Sequence, residues 1–301
     1  MPDIAMRFDK DMLVLSAPLR ATLARQGVDV DRDMEYFALV EPEAIRDAMR
    51  MEKIAGAQCL VAATEGLTPA RLAHNRMQDR GAELAAVSLD ALRPLKPQHI
   101  LAELGPCGLP LDGSSAASLN ENRSQYAQAA RFFAGQELDA LFLNGFARAD
   151  DLKCALMGVR QVTEAPVFAS VTVDGEGVLA DGRTSLEEAL SVMDEYEASV
   201  AGFECGAPLE RAAAVARRAA KATGLPLLAQ LRVARRDPKQ GGPTEGNPYY
   251  CPDAMVSAAV ELRAAGVQFL RATGDATPAY SGALAAATMG FDAVLPEGRA
   301  E

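Results

Sequence analysis

The chain has 301 residues, a formal net charge of −11 and no tryptophan, with 49% hydrophobic and 24% charged residues. Its arginines are scattered among acids and make no basic face for a phosphate backbone. No apolar run approaches the roughly 18 residues of a membrane span, so nucleic acid and membrane are set aside as partners. The opening MPDIAMRFDKDM is charged and lacks the apolar core of a secretory signal. Five cysteines at wide spacings, with no CxxC, read as free thiols in a reducing cytoplasm.

In chain order, eight short apolar runs occur at 12–16, 59–64, 100–105, 140–144, 167–173, 200–205, 227–233 and 269–273. Runs without polar alternation suit strands covered on both faces, as in a parallel sheet. Amphipathic helical stretches lie between them. One spans 43–54. Another spans 120–133, with Asn120 as its expected N-cap. A third, 185–196, opens with a capping box of Ser185 and Glu188. Those at 209–222 and 253–265 stop at Gly224 and Gly266, the residue type helix C-termini prefer. Eight β–α units in this length predict a single-domain (β/α)8 TIM barrel over residues 1–301, in the α/β class. There is no Gly-x-Gly-x-x-Gly after the first strand and no Walker A sequence. The connection at 234–252 is long for a barrel loop, which fits either a lid or partner contact or a surface insertion.

In such a barrel the chemistry sits at the C-terminal strand ends. That rule selects Ser16, Thr64, Glu65, Asn144, Glu204, Thr273 and Gly274 as substrate-binding candidates. Cys205 and Asp275 are the candidate metal ligands, since zinc accepts mixed thiolate and carboxylate donors. Cys107 and Cys251 are further thiols near the same end. The bland reading of each acid is a solvated loop residue or a complement to a helix dipole. A buried structural role is as good a reading of Cys205 as a functional one. His74 falls in a helical pattern and His99 before the third strand, on the opposite face of the barrel. That argues against Ser/His or Cys/His catalysis.

AELGPCG at 102–108, LDALFLNGFARADDLKCAL at 138–156 and SVTVDGEGVLADGRTSLEEAL at 170–190 resemble the homocysteine S-methyltransferase family in content, order and spacing. The resemblance implies a barrel that transfers a methyl group from methylcobalamin, betaine or a methylsulfonium to the sulfur of a small amino-acid-like acceptor, as in methionine formation. It further implies three cysteines holding a zinc ion and, in one branch, a corrinoid protein as partner. Of those cysteines, Cys205 stands in its expected turn, Gly202-Phe203-Glu204-Cys205. The other two lie in the family's Gly-Gly-Cys-Cys-Gly-Thr stretch, which falls on Arg271-Ala272-Thr273-Gly274-Asp275-Ala276, so Arg271 stands at its first glycine and Thr273 and Gly274 at its two cysteines. The family's Asp-Gly after strand one is Ser16-Ala17, its Thr-Asn-Thr-Phe after strand two is Ala62-Ala63-Thr64-Glu65, and its acid ending strand four is Asn144. These changes cluster at the mouth and indicate a rebuilt pocket. Two functions follow: methyl transfer to a thiol or related acceptor, with an altered metal site; or a barrel without zinc chemistry that binds a small molecule or a corrinoid or methyltransferase partner.

Overall fold

The computed structural model describes residues 3–30, 34–235, 237 and 239–295. Eight parallel strands close into one barrel in sequential order. They are β1 (Leu13–Leu15), β2 (Cys59–Ala62), β3 (His99–Leu104), β4 (Ala140–Phe146), β5 (Val167–Val173), β6 (Val200–Cys205), β7 (Leu227–Val233) and β8 (Val267–Gly274), with β1 pairing β8 to complete the ring. Helices α1 (Leu19–Arg25), α2 (Met34–Val40) and α3 (Pro42–Ala55) follow β1. Helices α4 (Pro69–His74) and α5 (Gly81–Leu92) follow β2. The later crossovers are α6 (Ala116–Arg131), α7 (Ala149–Arg160), α8 (Leu186–Glu195), α9 (Leu209–Ala222), α10 (Ala254–Ala264) and α11 (Pro278–Thr288). Among the described residues no helix is long and apolar enough to cross a membrane.

The predicted barrel is the one observed, and several boundaries coincide. The helix expected at 120–133 starts earlier, at Ala116. Its cap is Ser115, whose hydroxyl accepts from the Ser118 amide, and Asn120 lies inside the helix. Both residue types cap well, so the sequence pattern could not choose between them. The capping box at Ser185 and Glu188 is present with both of its hydrogen bonds. His99 begins β3 rather than preceding it, still at the end far from the mouth; its Nδ1 pairs with Asp139 at 3.1 Å. The connection between β7 and α10 is more than a surface insertion, because Asn247 and Tyr249 within it are buried.

Strand alternation sorts the side chains into two layers. One set packs outward against the helices. The other fills the barrel axis: Leu13, Leu15, Cys59, Val61, Leu101, Phe142, Phe168, Leu228 and Phe269. Phe168 and Phe269 meet edge to face at 4.8 Å, a geometry aromatic pairs prefer. The short 3-10 turn Ile4–Arg7 closes the N-terminal end of the barrel, inserting Ile4, with Phe8 packed against both rings. That end is sealed, so access to the axis is from the C-terminal mouth.

One buried acid shapes that mouth from behind. Glu52 of α3 is 3% exposed; its carboxylate accepts from the Ala17 amide at 3.1 Å and from the Ser281 hydroxyl of α11 at 2.6 Å. It thereby holds the chain where it leaves β1. Burial raises its pKa above the ordinary glutamate value of 4.5, outweighing the two hydrogen bonds that lower it. A folded-state acid with a raised pKa binds protons more tightly than the unfolded chain does. Its contribution is therefore most favourable at acidic pH and is lost as pH climbs from 4.5 through the raised value. Glu52→Gln keeps an acceptor for Ala17 and removes the titration. Denaturant melts across this range should show the wild type losing stability relative to the variant as pH rises; parallel curves would refute the assignment.

Candidate active site at the barrel mouth

One layer above the apolar floor the barrel axis turns polar. Glu103 stands two residues beyond Leu101 on β3, Asn144 two beyond Phe142 on β4, and Ser170 two beyond Phe168 on β5. Gln230 likewise follows Leu228 on β7, and Arg271 follows Phe269 on β8. A step of two on a strand returns to the same face, so all five enter the barrel. They satisfy one another. Arg271 donates to Glu103 Oε2 at 3.0 Å, and Asn144 donates to Glu103 Oε1 at 2.6 Å. Gln230 donates from Nε2 to Asn144 at 2.7 Å and to Ser170 at 2.8 Å, and accepts from Arg271 at 3.3 Å. The ring Arg271–Glu103–Asn144–Gln230–Arg271 is closed. The guanidinium also lies 5.3 Å above the Phe142 ring, a cation–π contact from the layer below.

Above this network a cleft opens over β1 and β2. Its walls include Pro18, Leu19, Arg20, Val61, Ala62, Ala63 and Glu65, its floor meets Glu103 and Arg271, and Met34 and Glu35 of α2 overhang it. The Glu35 carboxylate sits so close to Gly66 that a Cβ there would lie 1.6 Å from its oxygen. The cleft has an empty volume of about 380 Å³, part of it open to solvent. Glu65 ties the rim together by pairing with Arg71 at 3.4 Å and Arg20 at 3.7 Å.

The candidates from the strand-end rule divide. Asn144 is in the network, and Glu65 lines the cleft. Thr64 is buried beside them, its hydroxyl donating to the Glu103 carbonyl at 2.8 Å. Ser16 is also buried: its hydroxyl accepts from the Val61 amide at 2.9 Å and its carbonyl receives the Arg271 Nε–H at 2.9 Å, so it frames the floor. Glu204 pairs with Arg232 on the far side of the mouth. Thr273 is buried, with no partner for its hydroxyl among the described residues. Glu103, Ser170, Gln230 and Arg271 are absent from the strand-end list. The signal for them was a polar residue inside a mainly apolar strand run, two positions after a large apolar one.

The two metal candidates are each engaged elsewhere. Cys205 follows inward-facing Glu204 by one residue and therefore faces the helices, packed in the outer core at 1% exposure. Its sulfur accepts from the Ala207 amide at 3.4 Å, and burial pushes its thiol pKa up. Asp275 forms an ion pair with Arg25 at 2.9 Å. Cys107 donates to Asn122 Oδ1 at 3.1 Å, and its amide is held by Tyr126, which in turn donates to Asp151 at 2.6 Å. Cys251 is half-buried in the connection before α10. Among the described residues no group of three or more His, Cys, Asp or Glu side chains is placed to hold a metal ion.

Residues 13–271 match the model of the homocysteine S-methyltransferase family. The chain belongs to that family. Among solved structures, the oxidised and metallated forms of the homocysteine methyltransferase MmuM from Escherichia coli align with it at 19% identity. TM-scores are 0.76 and 0.75, with 92% of this chain and 96% of that one covered. The carboxyl transferase domain of Rhizobium etli pyruvate carboxylase, with pyruvate and biocytin, aligns at 16% identity and TM-score 0.55 over 98% of this chain and 46% of the other. At these identities the likeness is one of fold. No curated protein matches the chain by sequence.

The family's zinc does not fit the residues present. Of the two β8 positions where it has cysteines, Thr273 carries a hydroxyl and Gly274 cannot carry a side chain at all. Its φ is +65°, and a Cβ there would stand 2.4 Å from the Val233 carbonyl oxygen. The turn has been rebuilt around a glycine, so restoring the sulfur would not restore the site. Thr273→Cys combined with Gly274→Cys should lower the denaturation midpoint, the left-handed backbone alone costing about 1 kcal/mol or more. Elemental analysis should find no stoichiometric zinc gained; a stable variant loaded with zinc would overturn this reading.

The buried ion pair makes a second prediction. Removing one member leaves the other charged and unpaired, which typically costs about 3–5 kcal/mol. Glu103→Gln and Arg271→Met should each destabilise on that scale in urea melts. The double variant should lose clearly less than the two losses added together. Additive losses would show that the pair is not coupled.

Proposed function

We propose that the chain transfers a methyl group to the sulfur of a small amino-acid-like acceptor bound in the cleft over β1 and β2, without a three-thiolate zinc centre. The observation that carries this reading is a fixed cation and a fixed anion, Arg271 and Glu103, at the floor of the mouth of a barrel that belongs to this family. An amino acid is a zwitterion, and a cleft with both signs of charge and an aliphatic wall of Pro18, Leu19, Val61 and Ala62 complements it. The acid that the family pattern places at the end of strand four is Asn144 here. A carboxylate reaches the same layer from β3 instead, with Asn144 donating to it.

The transfer is a displacement. The acceptor sulfur forms a bond to the methyl carbon as the donor's bond to that carbon breaks and the donor leaves with the electron pair. The thiolate is the nucleophile, and with no metal to lower it the acceptor thiol ionises near its free value of about 8.5. Transfer to homocysteine, with a methylsulfonium, betaine and methylcobalamin offered in turn as donor, should therefore be insensitive to chelators. Its rate should rise close to tenfold per pH unit between roughly pH 7 and 8 and level off near pH 8.5. A rate flat over this range and abolished by a chelator would point to a metal-bound thiolate. No methylated product with any donor would sink the transferase reading in favour of a binding barrel.

A further inference from the structure

The guanidinium of Arg271 is held by one hydrogen bond at each of its three nitrogens and by an aromatic ring beneath it. Nε donates to the Ser16 carbonyl, one terminal nitrogen to Gln230 and the other to Glu103, while its face rests on Phe142. A guanidinium carries five N–H groups. These bonds use three, and two have no protein partner among the described residues. The side chain is 1% exposed, yet it forms part of the floor of the cleft. A buried arginine with spare donors on a cavity wall is a built receptor for a planar anion, because its fork matches a carboxylate in two-point geometry. Arg20, the other arginine of the cleft, stands at the rim, partly exposed and paired with Glu65.

We infer that Arg271 is the carboxylate-binding residue of this mouth, a position at which the family pattern has glycine and so no side chain. The ligand class is an α-amino acid whose carboxylate meets the two spare N–H groups; its ammonium is left for Glu103 and Glu65, and its side chain for the aliphatic wall. This rests on the acceptor class proposed above and adds the residue that selects it. The network fixes the guanidinium before ligand arrives, so little ordering is needed on binding. Glu103 and Gln230 thereby act as positioning residues for Arg271.

The test is calorimetric titration with methionine and with methioninol, which has the same side chain and ammonium but no carboxylate. Wild type should bind methionine and bind methioninol at least about tenfold more weakly. Arg271→Lys, which keeps the charge and loses the fork, should weaken methionine about tenfold and leave methioninol unchanged. If that variant does not fold by circular dichroism, the charge-neutral Arg271→Met/Glu103→Gln pair is titrated instead, with the same expectation. Equal binding of the two probes by wild type, binding of neither, or a variant that weakens both alike overturns the assignment. Carboxylate-dependent binding without methyl transfer to homocysteine would retain the anion site and reject the transferase reading. Transfer that persists with probe affinities indifferent to Arg271 would do the reverse.

Discussion

The guanidinium of Arg271 and the carboxylate of Glu103 meet inside the barrel, joining strands that are separated around the ring by β1 and β2. Two charges taken out of water on an apolar floor are tolerated only when each is paired and its remaining donors or acceptors are met. Asn144, Gln230, Ser170 and the Ser16 carbonyl are placed by that requirement. The pair thus sets the residue types on four further strands or strand ends, the height of the floor, and the charge pattern any ligand encounters.

The residues at the family's zinc positions on β8 have changed in the same stretch that carries Arg271. An arginine at the start of the altered β8 stretch fills the barrel axis with a permanent cation. Downstream, Thr273 and Gly274 have lost both sulfur and, at Gly274, the space for any side chain. Cys205 remains at its expected place in the sequence, but strand alternation turns it into the layer beneath the helices. A single cysteine retained from a ligand set is therefore no guide to metal binding when its partners' backbone has changed.

Strand positions were legible because buried parallel strands are continuous apolar runs, and three of the eight runs, at β5, β6 and β7, coincide with the observed strands. Helix ends were legible where one residue type is required, as at the Ser185–Glu188 box, and ambiguous where two good caps compete, as with Ser115 and Asn120. The strand-end rule located Asn144 and Glu65. It passed over Glu103, Ser170, Gln230 and Arg271, because it asks where strands stop and not which face each residue takes.

The sequence by itself determined the eight-unit barrel, the family and the loss of two thiols from β8, since these follow from local apolar periodicity and residue identity. It also held the inward parity of the five polar residues, through the period of two along each strand. Only the tertiary structure decided that four of those five, up to 168 residues apart in the chain, close into one ring with Ser170 attached to it. It alone decided that Gly274 is sterically obligatory and that two donors of Arg271 are left over. Each of these depends on which strand lies opposite which across a closed sheet, and that is a property of the barrel's register and not of any segment of the chain.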